Sequence, residues 1–217
     1  MNKVTPRRLR GIIENYNLSS KKVLDLGAGD GSYLMHFGNN SAGLEIGKEN
    51  VTTANKAKLN MMTCDLESDA WPVNSFDFDV VWCSNYLEHS LSPHRLLIKS
   101  RGFLNDQGVI VIAVPLAYSF SNIVSTVFSQ WRGYSAADHV NFFNRKSIML
   151  TIERAGFDLI EVYSNVILNN SKFSIIVNKI ASIFWFNIVV VARKKKNWNY
   201  PDKSHKNLVD NIIVFKD

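Results

Sequence analysis

Apolar positions along the chain fall into short runs separated by polar, helix-patterned stretches. Val23–Leu26, Ser41–Ile46, Asn60–Cys64, Phe78–Cys83 and Val109–Val114 are aliphatic-rich runs with turn-forming residues nearby, the signature of short buried strands. Between them, Lys48–Leu59 reads as a crossover helix. Ser92-Pro93 opens another helix reaching Leu104, and Asp106-Gln107-Gly108 reads as a turn before the next strand. At the front, Thr5-Pro6 is a helix start, and Leu9, Ile12, Ile13 and Tyr16 follow at helical spacing. That helix is expected to pack at the edge of a cleft. Tyr33, Leu34 and Phe37 suit a helix after Gly31. Arg145–Ala155 suits one closed by Gly156, with further strands at Phe157–Ser164 and Trp185–Arg193. Strands that alternate with helices predict an α/β fold with a parallel, doubly wound sheet, whose right-handed crossovers gather the loops after the strands on one rim.

Three stretches stand outside this alternation. Residues 116–143 are rich in aromatic and small polar side chains, and a connection of that length is expected to be a functional lid. Residues 166–181 are an apolar insertion, and 194–217 a basic tail. The chain thus divides into an N-terminal helix or arm (1–21), one domain (22–193) and the tail. With 217 residues and 46% hydrophobic content, one substantial core is expected. The longest uncharged apolar run near the C-terminus, Ile180–Ala192, has 13 residues including Asn187, short of the roughly 20 a membrane span needs. Met1–Arg10 is basic with no apolar run behind it, so no secretory leader is expected. The two cysteines, Cys64 and Cys83, close strands expected to lie too far apart in the sheet to bridge. They suggest neither a disulfide framework nor a metal site, and a reducing cytoplasm is expected. The net charge of +6 is uneven: residues 1–22 carry +5 and 193–217 carry +4, leaving −3 on 23–192. Nucleic-acid enzymes concentrate base around their sites, so a nucleic-acid partner is not expected. Basic ends on an acidic middle read as solvated termini, or as peripheral contact with an anionic membrane surface. The oligomeric state has no signature in the sequence.

The chemistry concentrates after the first strand, in Asp25-Leu26-Gly27-Ala28-Gly29-Asp30-Gly31. Glycines at alternate positions permit unusual dihedrals and close approach of a ligand to backbone N–H groups. The order G-x-G-x-G, without a following lysine, fits neither the dinucleotide G-x-G-x-x-G nor the phosphate loop ending in G-K-[ST]. Glu45 ends the second strand about 20 residues on, where a carboxylate can accept both hydroxyls of a ribose, with Ile46 beside it. The bland alternative is a strand-end charge.

With the glycine turn in front, the chain resembles class I S-adenosylmethionine (SAM)-dependent methyltransferases. Phe78-Asp79-Val80-Val81 leading to Leu87-Glu88-His89 is similar to motif IV of their small-molecule subgroup, which includes ubiquinone- and menaquinone-type methylases. His139-Val140-x-Phe142-Phe143, with Ser147-Ile148 and Ala155-Gly156-Phe157 behind it, resembles the same subgroup. The resemblance spans about 22–193. It implies a Rossmann-like, mostly parallel seven-stranded sheet with helices on both faces. It also implies SAM as cofactor, with S-adenosylhomocysteine (SAH) as product. Asp25, Gly27, Ala28, Gly29, Glu45 and Ile46 would then line the cofactor. Asp65 and Leu66 would read the adenine, although Asp65 also opens an acidic loop where it could be merely solvated. Backbone carbonyls around Cys83 and Ser84 would face the methionine ammonium.

Two histidines are placed for proton transfer if the acceptor is a hydroxyl: His89 after the fourth strand, and His139 beside Asp138. Each has a structural alternative, His89 as a helix cap or cleft wall and His139 as a hinge. The function expected is methyl transfer to a small-molecule acceptor. O-methylation is favoured, and the aromatic and apolar segments suggest a lipid-linked, aromatic or sugar substrate. The rival is a non-catalytic SAM-binding or partner-binding module. A nicotinamide oxidoreductase is opposed by the glycine spacing and by the lack of a Tyr-x-x-x-Lys pair.

Overall fold

The computed structural model describes residues 7–67, 70–116, 138–164 and 187–199. Seven strands form one sheet: β1 Val23–Leu26, β2 Ala42–Glu45, β3 Met61–Thr63, β4 Phe78–Ser84, β5 Leu104–Pro115, β6 Phe157–Ser164 and β7 Asn187–Lys194. Their order is β3-β2-β1-β4-β5-β7-β6. The pairs from β3 to β5 are parallel, and β7 runs antiparallel to both β5 and β6. The expected doubly wound sheet is present, with one reversed strand. Among the described residues four helices accompany it: α1 Arg7–Asn15, α2 Lys48–Lys56, α3 Pro93–Arg101 and α4 Arg145–Arg154.

Period-two alternation divides the core between the two faces of the sheet. Val81 and Cys83 of β4 and Ile110, Ile112 and Val114 of β5 turn toward one face, where Leu96 and Leu97 of α3 and Ile148 and Ile152 of α4 cover them. Val80, Trp82, Val111 and Ala113 turn toward the other, under Leu9, Ile12 and Ile13 of α1 and Val51 and Ala54 of α2. Helix α1 therefore covers a sheet face. Tyr16, just past it, donates to Glu161 of β6 at 2.6 Å. Cys64 and Cys83 are buried and not bridged to each other, and β2 and β1 lie between β3, which Cys64 follows, and β4, which carries Cys83, as expected.

Two expectations give way. No helix follows the glycine turn: Leu34–His36 is a single 3₁₀ turn. The N–H of Gly38 donates to the carbonyls of Leu18 and Lys21 at 3.0 and 3.1 Å, and a Cβ at Gly38 would lie 2.6 Å from the Lys21 oxygen. The chain is pinned there against backbone, too soon after Gly31 to repay helix nucleation. The rings of Tyr33 and Phe37 instead pack on Trp82, with centroids 5.6 and 5.3 Å away. Asp106-Gln107-Gly108 is not a turn between elements but part of β5. Phe78 pairs with Leu104 and Val80 with Val109, so β5 carries a bulge of extra residues, tied down by Asn105 donating to Asp79 at 2.9 Å.

The segment expected as a lid begins and ends at one place, because Leu116 and Phe143 form a parallel bridge. Residues 117–137, the apolar insertion 166–181 and the tail beyond 199 lie outside the described residues. No helix among the described residues is long and apolar enough to cross a membrane.

Trp82 is fully buried and supports the glycine turn's flank through Tyr33 and Phe37. Trp82→Ala is expected to cost about 3–5 kcal/mol, the usual range for emptying a large aromatic site, read as a lower urea midpoint at an unchanged slope.

Candidate functional site

The carboxyl ends of β1, β2 and β4 meet at one edge of the sheet. The register sets Asp25 opposite Trp82 and Leu26 opposite Cys83, so the glycine turn and the loop after β4 leave the sheet side by side. Gly27, Gly29 and Gly31 have φ of +69°, +54° and +75°, left-handed values that other residues adopt at a cost. The N–H groups of Gly27 and Ala28 both donate to the Leu44 carbonyl, at 3.0 and 3.1 Å. A Cβ at Gly29 would meet nothing within 4 Å: the turn opens onto free space where a ligand can approach its backbone.

Acids surround that space. Asp25 is 2% exposed, and its Oδ2 has no hydrogen-bond partner among the described residues. Burial first, and then the charge of Glu45, push its carboxyl up to about 8. Glu45 is half-buried. Its two oxygens accept from Gly29 N–H at 2.9 Å and Gly47 N–H at 2.8 Å, which fixes the carboxylate while leaving lone pairs for further donors. Ile46 beside it is 66% exposed, an apolar surface on the rim. Asp65 is exposed and accepts from Glu67 N–H at 3.0 Å. Leu66 is buried, and its carbonyl accepts from the Trp71 indole at 3.2 Å. Cys83 is buried, its thiol pushed up chiefly by burial, and Ser84 is half-buried opposite Ala113.

An orphaned buried carboxylate oxygen, an open glycine turn and an exposed apolar side chain after the ribose-type acid fit SAM. Asp25 would sit by the ammonium, whose charge would favour loss of the carboxyl's proton, Glu45 would present acceptors to the ribose, and Ile46 would present an apolar face to the adenine. The fit runs through the turn and strand ends alone, since the expected helix N-terminus behind the turn is absent.

Next to this cleft, the loop after β4 is laced to the segment before α4. The Glu88 carbonyl accepts from Val140 and Asn141 N–H, both at 2.9 Å. The Asn141 side-chain amide donates to the Ser90 carbonyl at 2.5 Å and to Leu87 at 3.3 Å. The His89 and His139 rings thereby meet edge to face, with centroids 4.7 Å apart. Adjacent Asp138 turns toward His89: its Oδ2 lies 3.3 Å and its carbonyl 3.1 Å from His89 Nδ1. The neighbour pairing suggested by Asp138-His139 in the sequence is thus made with the other histidine.

Glu88 was only part of a motif in the sequence, yet it belongs to this cluster. It is 1% exposed, and its Oε2 has no partner among the described residues. Burial is the main cause that lifts its carboxyl to about 7. Glu88, His89 and His139 offer donor atoms that all lie within 4.8 Å of one another, a set able to receive a proton or a divalent metal. Linear spacing does not announce it, because His139 arrives from 50 residues further along the chain. His139 itself is pushed below the ordinary histidine value, first by burial and then by His89.

A family model described as a methyltransferase domain matches residues 2–162. The chain is 24% identical over 192 residues to the ubiquinone biosynthesis O-methyltransferase of Stutzerimonas stutzeri, covering 80% of this chain and 82% of that one. It is 25% identical over 150 residues to the tRNA U34 carboxymethyltransferase of Desulforapulum autotrophicum, covering 64% of this chain but 45% of the relative. A SAM-dependent methyltransferase from Archaeoglobus fulgidus shares the fold, with a TM-score of 0.61 at 17% identity over 88% of this chain and 95% of that one. With the glycine turn, the strand-end acids and the sheet order already in place, the match over most of its length makes this chain a member of the methyltransferase-domain family, a class I SAM-dependent methyltransferase.

Proposed function

We propose that the chain methylates a hydroxyl of a small-molecule acceptor, with His139 taking the acceptor's proton. The observation that supports this reading is the His89–His139 pair, held beside buried Glu88 in the loop that leaves β4 next to the glycine turn. Bound SAM supplies a methyl group already activated on a positively charged sulfur. The protein's tasks are to hold the partners in line and to accept a proton. Asp25, Gly27, Ala28, Gly29, Glu45, Ile46, Asp65, Leu66 and the backbone at Cys83 and Ser84 would hold the cofactor. A histidine pushed below its ordinary value is neutral at pH 7 and is free to accept. His89, contacted by Asp138, would hold the second imidazole in place.

The surroundings favour a small, partly apolar acceptor. Leu91, Val140 and Phe142, on the same two loops, are 81%, 58% and 46% exposed, which suits an aromatic or lipid-linked portion. Glu45, Asp65, Glu67 and Asp138 are exposed or half-buried acids on these strand ends and loops, which opposes a phosphate backbone. The ubiquinone-type relatives act on oxygen by name, in line with a hydroxyl acceptor. Loss of catalysis with retained cofactor binding would instead mark a non-catalytic module.

Cofactor binding is expected to couple to Asp25. A carboxyl raised to about 8 in the folded protein binds a proton that the unfolded chain has released above about pH 4. The folded state therefore loses stability as pH rises from about 4 toward 8, by up to about 1.4 kcal/mol per pH unit for one group. Asp25→Asn should flatten that slope in urea titrations and weaken SAM binding roughly tenfold or more by calorimetry. An unchanged slope together with unchanged affinity removes Asp25 from the site.

His139→Ala should lower turnover by about 10²–10⁴-fold, the contribution of a general base, with SAM affinity nearly unchanged. In the wild type the rate should rise with pH through a midpoint below about 6.5 and be level by neutrality. The same assay in excess chelator separates an imidazole base, which keeps its rate, from a metal-assisted step. Near-normal turnover in His139→Ala with a large loss in His89→Ala moves the base to His89.

A further inference from the structure

Tyr86 stands in the cofactor cleft without a role in the arrangement described so far. It follows β4 by two residues, and its ring lies against the first glycine of the turn: a Cβ at Gly27 would fall 2.4 Å from Cδ2 and 2.9 Å from Cγ. The residue is half-buried: it packs in part against the core cluster that holds Cys83 and Leu87, and part of it stays accessible. Burial and then the fields of Glu67, Cys83, Asp65 and Glu45 push its phenol far above the ordinary tyrosine value. The ring is neutral and lies in the field of the Glu67, Asp65 and Glu45 carboxylates, Cys83 being a neutral thiol. Such a site discriminates by charge. The negative face of an aromatic ring attracts a cation, and acids converging on a low-dielectric cleft reinforce the preference.

Methyl transfer changes one charge on the cofactor. SAM carries a positive sulfonium, and SAH, its product, carries a neutral thioether. We propose that Tyr86 is a charge-selective wall of the cofactor cleft, holding the sulfonium form in preference to the spent thioether and so favouring product release. This rests on the cofactor reading of the glycine turn. Tyr86 is then a positioning and specificity residue: it neither gives nor takes a proton, and its hydroxyl is dispensable.

The test is calorimetric titration of wild type, Tyr86→Phe and Tyr86→Leu with SAM and separately with SAH, with circular dichroism to check folding. Tyr86→Phe should keep the ratio of the two affinities within about twofold. Tyr86→Leu should weaken SAM roughly tenfold and SAH by less than about twofold, the range of a partly desolvated cation–aromatic contact. Equal weakening of both ligands would reduce the ring to a shape-filling role and overturn the proposal. Equal tightening would make it an obstruction over Gly27 and overturn it as well. If Tyr86→Leu does not fold, phenylalanines of increasing fluorination at position 86 keep the shape while draining the ring's negative face. SAM affinity should then fall with each fluorine while SAH affinity stays level, and a flat SAM series overturns the proposal. Wild-type protein that binds neither ligand overturns the cofactor reading itself, and the proposal with it.

Discussion

The pairing of β1 with β4 is the constraint on which the site depends. Because Leu26 stands opposite Cys83, Gly27 and the loop carrying Tyr86, Glu88 and His89 emerge next to each other. A slip of one residue would exchange the faces of every side chain on the strand. Asp25 would move to the face now held by Leu24 and Leu26, and the glycine turn would lose its place against Tyr86. What fixes the register is the two-sided core, since Val81 and Cys83 face one cluster and Val80 and Trp82 the other. Neither face tolerates exchange, so packing far below the cleft determines which atoms line it.

A second layer of order comes from the backbone. The loop after β4 has little regular structure, yet its carbonyls are consumed by Val140, Asn141 and the Asn141 amide. These bonds join segments about 50 residues apart and bring His139 to His89. The bridge between Leu116 and Phe143 returns the chain to this same spot. Hydrogen bonds to buried carbonyls are costly to leave unmade, so the loop is held without a helix of its own.

Electrostatically the site works against stability. Asp25 and Glu88 are buried carboxyls with an unpartnered oxygen each among the described residues, and both are raised toward neutrality mainly by burial. Groups of this kind cluster where chemistry is done, and the fold carries their desolvation elsewhere. Under the turn, Tyr33 and Phe37 pack on Trp82 in place of the helix that the periodicity of 33–37 suggested.

The strands, their order of appearance, the glycine turn and the acids Asp25 in β1, Glu45 at the end of β2 and Asp65 after β3 were legible in the sequence. Each depends on neighbours a few residues away: apolar alternation, turn residues and the freedom of glycine. The missing helix after Gly31 was not legible, because Gly38 is pinned by carbonyls of Leu18 and Lys21, contacts beyond any local window. Nor was the bulge in β5, which reads locally as a turn and is decided by the partner strand. The largest gap concerns the cluster of Glu88, His89 and His139. His89 and His139 were visible as residues, but Asp138 turning to His89, buried Glu88 joining them and Tyr86 resting on Gly27 are products of tertiary packing. Local sequence determined the strands and the chemical groups of this protein. Only the sheet register and the long-range backbone bonds decided which of those groups face one another, because distance in the chain carries no information about distance across a loop.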